Sequence, residues 1–361
     1  NTLERCLFED NFAESENWEY ASFGGAMANH GSTVSAIDCV FRNNRATPYS
    51  WYEAPSSKGG AVYNKEISDI FPIPDAPYTP TIFRGERCLF VDNRAGNGGA
   101  LSSNLSSTEL VDVEFLGNEA LADALYWEYE YETQGGAVQV FLGEARMTGC
   151  VFAGNSSLET SHYGDMKMGG GVHARKANVR IENSLFNDNI SIRGGALASS
   201  DEANVLVINS TFVGNVGSYG GAIYASESVL DAHNSILWSN TPESVYLDAE
   251  YAPVVTMSHC DVEGAWEGES NLDADPMFVN PACDNYGLGA GSPCIDRADG
   301  MVAPENDMLG NFRYDDPSVD DYFDCSEIWT DAGMDAGTDA GPDAGSGCVP
   351  HADLGALERL P

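Results

Sequence analysis

Basic residues are scarce in this chain. Lys plus Arg number 17 against 56 Asp plus Glu in 361 residues, a formal net charge of −39. A nucleic-acid binder needs a basic footprint to neutralise phosphates, so that class of partner is excluded. Apolar runs of 18 or more residues are missing, and with them any membrane-spanning helix. No signal peptide is visible. Nucleophile elbow, phosphate loop and zinc-ligand spacing are absent too, so no catalytic motif of high specificity marks the chain. Apolar content is not lacking: at 43% hydrophobic residues the chain is no disordered acidic tail. The acid excess favours solubility and cation binding.

Against this background two short motifs recur. Phe-x-x-Asn starts at Phe8, Phe41, Phe90, Phe115, Phe152, Phe186 and Phe212, and Gly-Gly-small starts at Gly24, Gly59, Gly98, Gly135, Gly169, Gly194 and Gly220. They alternate without exception. From Gly-Gly to the next Phe is 17 residues in four of six intervals, and from Phe to the next Gly-Gly is 8 in three copies. The base period is therefore about 25 residues, which means a solenoid.

Each period carries three strand-like pieces too short for helices. In the seventh they are 221–225, 229–231 and 234–237, with β-branched and aromatic residues alternating with polar ones. Parallel stacking with right-handed connections gives an all-β fold, a right-handed parallel β-helix of about nine coils. The Asn of each Phe-x-x-Asn is expected to adopt the left-handed corner conformation and to stack as a ladder. The chain begins inside a repeat at Leu3, Cys6, Phe8 and Asn11, so an upstream N-terminal cap is expected. Cys6, Cys39, Cys88, Cys150 and Cys260 occupy one register position, two before the repeat Phe or its substitute, and read as a ladder of small buried side chains. Cys283, Cys294, Cys325 and Cys348 lie beyond the repeats and are disulfide candidates, paired by proximity as Cys283–Cys294 and Cys325–Cys348.

Residues 3–240 resemble the repeats of the chlamydial polymorphic outer-membrane proteins, which carry Gly-Gly-Ala-Ile and Phe-x-x-Asn; surface β-helices of the pectin-lyase-like type share the pattern. The resemblance implies a secreted or surface-exposed, adhesin-like protein associated with a bacterial outer membrane. A second resemblance is to bacterial β-helix proteins with a choice-of-anchor region. It rests on Asp275-Pro276-Met277-Phe278, Tyr286-Gly287-Leu288, Gly291-Ser292-Pro293-Cys294-Ile295-Asp296, residues 307–313 and residues 353–358. It implies retention at the cell surface, and the segment is expected to cap the open end of the solenoid. The division is thus a β-helix over 1–272 and a cap or anchor region over 273–361. Within the second lies an Asp-Ala-Gly tract at 330–347 without a hydrophobic face, expected to be disordered. Its Asp-Gly spacing leaves calcium as the one cofactor in question, since a calcium loop needs convergent carboxylates and carbonyls.

Insertions between Phe-x-x-Asn and Gly-Gly occur in coils one, two, four and five, all at one corner. They carry Trp18 and Tyr20, then Trp51 and Tyr52, then Tyr126, Trp127, Glu128, Tyr129 and Tyr131, then Tyr163. Aromatic platforms beside carboxylates suit the apolar faces and hydroxyls of sugars. The strand after Gly-Gly would floor such a groove, and Tyr63, Gln139 and His173 fall in one column of it. The leading reading is a glycan or surface-ligand binder. The alternatives are a polysaccharide lyase or glycoside hydrolase in the same groove, with His173 and Glu128 as candidate catalytic residues, and a structural spacer whose loop aromatics pack on one another. Ligand identity and oligomeric state are not legible.

Overall fold

The computed structural model describes residues 1–14, 22–47, 57–66, 81–121, 133–158, 167–311, 313 and 355. Strands follow one another around a coil and pair in parallel with their counterparts in adjacent coils, forming four stacked sheets. Among the described residues two sheets have nine strands, which gives nine coils.

Four sheets rather than three surround the core. The strand after Gly-Gly belongs to an eight-stranded glycine sheet, Met27–His30 to Val245–Leu247. Next comes a nine-stranded sheet of mostly five-residue strands, here the long-strand sheet, Thr2–Glu4 to Val254–Ser258. The phenylalanine sheet follows, Leu7–Glu9 to Asp261–Val262. A six-stranded short sheet, Phe12–Glu14 to Ile190–Ser191, comes after the Asn and was not foreseen. Several of its strands are two residues long, too short for a period-two pattern to show. In the seventh cycle the strands are Ile223–Ala225, Val229–His233 and Ile236–Trp238, so the middle one runs two residues beyond its expected end.

The repeat Phe fills the core. Phe8, Phe41, Phe90, Phe115, Phe152, Phe186 and Phe212 stack with centroids 4.5–4.9 Å apart, the spacing of adjacent strands. The asparagines form an unbroken ladder from Asn11 to Asn240. Each Nδ2–H donates to the next Oδ1 at 2.7–3.0 Å. These Asn are not left-handed, contrary to expectation. The residue before each carries the positive φ: Asp10, Asn43, Asp92, Gly117, Gly154, Asp188, Gly214 and Ser239. The Asn is there for its amide, which also reaches the carbonyl of the repeat Phe one coil back, as Asn118 does to Phe90 at 2.9 Å.

The paired glycines serve two needs. The first of each pair has φ between +58° and +71°. The second admits close stacking: a Cβ on Gly60 or Gly136 would lie 2.0 Å from the next coil's glycine carbonyl oxygen.

The cysteine column is a hydrogen-bonding ladder shared with serine. Cys6 N–H donates to Cys39 Sγ, Cys150 N–H to Ser184 Oγ, and Ser184 N–H to Ser210 Oγ. Each side chain also donates to the carbonyl two residues earlier, as Cys39 does to Ile37 and Ser184 to Glu182. That shared task explains why the two residue types exchange.

Past the ninth coil, Trp266 packs on the core and Asn271 Oδ1 accepts Cys260 N–H at 2.9 Å, closing the end. The sequence suggested that the following segment caps that end, and its described part, residues 273–311, takes a different course. It folds back along the outer face of the phenylalanine sheet. Leu288, Cys294 and Ile295 cover Ile236, and Tyr286 packs with Leu185 and Val213. Corner asparagines hold this strap: Asn234 exchanges two bonds with Asp299, and Asn183 Nδ2–H donates to Asn306 O at 2.7 Å. No disulfide joins Cys283 to Cys294. Cys294 is buried in the strap interface with its Sγ 3.1 Å from Asp261 Oδ2, whereas Cys283 is exposed in a turn. Cys325, Cys348 and the Asp-Ala-Gly tract lie outside the described residues.

Candidate functional site

Each coil enters the glycine sheet through the residue just before Gly-Gly. Those residues stack as one continuous edge: Phe23, Lys58, Asn97, Gln134, Met168, Arg193 and Tyr219 are joined rung to rung by parallel bridges. The four aromatic insertions leave the coil after the short-sheet strands or their neighbours and return to it along this edge. Flanks such as Thr133–Gln134 and Lys167–Met168 are directly paired. The insertion residues themselves, Trp18, Tyr20, Trp51, Tyr52, Tyr126, Trp127, Glu128, Tyr129, Tyr131 and Tyr163, lie outside the described residues.

The column expected to floor a groove does point away from the core, but it is closed rather than open. Tyr63, Gln139 and His173 are all buried. Tyr63 stacks on Phe23 at 4.5 Å and meets His30 edge-on. Gln139 accepts from Ser102 Oγ and donates to Gln134 Oε1, both at 2.9 Å. His173 Nε2 lies 3.0 Å from Ser200 Oγ, and its Nδ1 has no hydrogen-bond partner among the described residues. Burial, reinforced by the neighbouring Arg175 charge, pushes the His173 pKa down to about 3. The imidazole is therefore neutral and sealed, a poor position for a general base. The register grouped these residues in one column but did not tell what covers it.

The same edge holds residues the sequence reading missed. Tyr219 is exposed, packs edge-on against Tyr246 at 5.1 Å, and neighbours Arg193 in the bridge ladder. Tyr246 stacks on buried Tyr224 at 5.9 Å, Arg193 lies over the Tyr224 ring at 5.5 Å, and Tyr224 donates to Asp248 Oδ2 at 2.6 Å. Burial and the Asp248 bond push the Tyr224 pKa well up, so its hydroxyl stays protonated. Coils six to eight have no insertion here, so attention to insertions alone passed over them. The signal was the register position before Gly-Gly, which reads Arg193 and then Tyr219.

A shallow groove of about 380 Å³ runs over the long-strand sheet, lined by residues including Glu109, Arg146 and Arg180. Most of its charges are answered: Arg84 pairs with Glu109, and Glu182 accepts from Arg146 and Arg180. The groove thus offers a ligand little unmatched charge. Among the described residues, no group of three or more His, Cys, Asp or Glu is placed to hold a metal ion. Within the same residues no helix is long and apolar enough to cross a membrane.

Parallel sheets stacked coil upon coil define the class, a parallel β-helix. Within it, residues 38–65 match the Chlamydia polymorphic membrane protein repeat. The match spans one coil, from the corner at Asp38 through Phe41, Asn44 and Gly59-Gly60-Ala61 to Lys65. It points to a surface- or outer-membrane-associated repeat protein. No curated protein matches the chain.

Proposed function

We propose that this protein is an adhesin-like β-helix, displayed at a bacterial surface, that binds glycan through the aromatic and acidic insertions of the glycine-sheet corner. The observation that carries the reading is the single edge: residues flanking the four insertions stack rung on rung, so separate stretches of Trp, Tyr and Glu issue from neighbouring coils. Function in solenoids concentrates in such insertions. Tyr and Trp supply flat area at low entropic cost. Retention at the surface through the C-terminal region, by the resemblance of residues 275–296 to choice-of-anchor proteins, is part of the proposal.

A broad glycan array, run with and without calcium, tests it. Wild-type protein is expected to give a defined set of positive glycans, and Trp127→Ala and Trp51→Ala each to lose about tenfold or more in affinity. An array with no signal that depends on these residues overturns the reading. Catalysis in the same corner has less support, because the one base candidate among the described residues, His173, is sealed and neutral.

A further inference from the structure

We infer that Arg193, Tyr219 and Tyr246 form a distinct subsite for a carboxylate-bearing saccharide, at coils six to eight of the glycine-sheet corner. The inference rests on the reading of that corner as a glycan-binding edge and extends it to a place without insertions.

The first observation concerns charge. In so acidic a chain an arginine is expected to find a carboxylate, and Arg84, Arg87, Arg146, Arg175 and Arg180 each do. Arg193 lies instead over the Tyr224 ring, and it has no carboxylate within ion-pair reach among the described residues. The ring holds the guanidinium plane by a cation–π contact and leaves its N–H groups available. A planar five-donor fork so placed matches a carboxylate bidentately.

The second observation concerns shape. Tyr219 is 42% exposed, beside Arg193 on the next rung, with Tyr246 against its edge. The Tyr246 ring is in turn fixed by stacking on Tyr224, whose hydroxyl is tied to Asp248. The platform is therefore pre-organised and loses little side-chain freedom on binding. Exposed Ile190 and Val216, bridged on the adjoining short-sheet edge, extend its apolar surface. A pyranose ring lying on Tyr219 with its carboxylate toward Arg193 uses both features. A neutral sugar would use only one.

Isothermal titration of the whole chain with hexuronic acid oligosaccharides, and with the same oligosaccharides after reduction of their carboxyl groups, tests the subsite. Wild-type protein is expected to bind the carboxylated form about tenfold or more tightly than the reduced form. Arg193→Gln should erase that preference, Arg193→Lys should keep only part of it, and Tyr219→Ala should weaken both forms about threefold to tenfold. Circular dichroism confirms that each variant folds. No preference in the wild type, no binding of either form, or a preference that survives Arg193→Gln overturns the inference. Running Trp127→Ala and Trp51→Ala alongside separates it from the insertion reading. If they bind as wild type while Arg193→Gln does not, the subsite stands and the insertion reading fails; the reverse pattern sinks the subsite alone.

Discussion

At the scale of single residues, the chain spends glycine where backbone must touch backbone. A Cβ on Gly99 would sit 2.1 Å from Gly136 O, and that oxygen belongs to a neighbouring coil that cannot yield without parting the stack. Gly154 has φ +62° but nothing within 4 Å of a built Cβ. Gly99→Ala is therefore expected to destabilise by about 3 kcal/mol or more, and Gly154→Ala by about 1 kcal/mol from backbone strain alone. Urea melts of the two variants check the contrast.

His173 supplies a pH signature at the same scale. Its folded pKa of about 3 lies below the ordinary 6.5, so below pH 6.5 the unfolded chain takes up a proton that the folded chain refuses. Stability from this group is intact above about pH 6.5 and falls as pH drops toward 3, by up to about 1.4 kcal/mol per unit. Arg175 and Asp201, themselves an ion pair, are the charges that act on it. His173→Gln should flatten the acid limb of a stability–pH curve measured by denaturant melts; an unchanged limb would mean the ring is not sealed.

At the scale of elements, the ladders hold coils in register. Asn118 Oδ1 accepts from both N–H groups of Asn93, while its Nδ2 reaches Phe90 O and Asn155 Oδ1. Removing that amide strands buried donors on one side and an acceptor on the other. Asn118→Ala is expected to cost about 3 kcal/mol. Asn11→Ala, on the half-buried first rung, is expected to cost about 1 kcal/mol. Thermal melts of both variants read the difference.

The ladders also show what the sequence could convey. A repeated Asn announces a stacked amide, and the stack is there. The conformation of the corner was misassigned because Asn tolerates left-handed backbone, yet the tight position is one residue earlier, where Asp10, Gly117 and Ser239 share no side-chain chemistry. The short sheet escaped notice for a similar reason: two-residue strands such as Arg94–Ala95 leave no periodic trace. The sequence grouped Tyr63, Gln139 and His173 in one column and left its face open. Its closure was not legible, because burial of an outward face depends on what is laid over it.

At the scale of the whole molecule, the solenoid is closed at its ninth coil and strapped along one flank. Strap residues Phe278, Tyr286, Leu288 and Ile295 belong to the motifs that suggested a cap. Those motifs led to the expectation of a cap, whereas their described residues pack on the flank of the phenylalanine sheet, a choice that composition does not encode. Cysteine chemistry follows from that packing. Cys283 is exposed and should alkylate in the native protein without reductant. Burial pushes the Cys150 and Cys260 thiols up to about 12, so both should label only on unfolding. Peptide mapping after brief iodoacetamide treatment distinguishes the sites. A native Cys283–Cys294 bond would appear there as a linked peptide and would contradict the strap geometry.

The proposed function requires separate insertions to act together at one corner. Hydrogen exchange measured with and without a glycan found positive on the array tests it most directly. Binding is expected to protect residues 15–21, 48–56, 122–132 and 159–166 together, because their flanks stack on one edge. Protection confined to the long-strand sheet, with those four stretches exchanging as in the free protein, would overturn that reading.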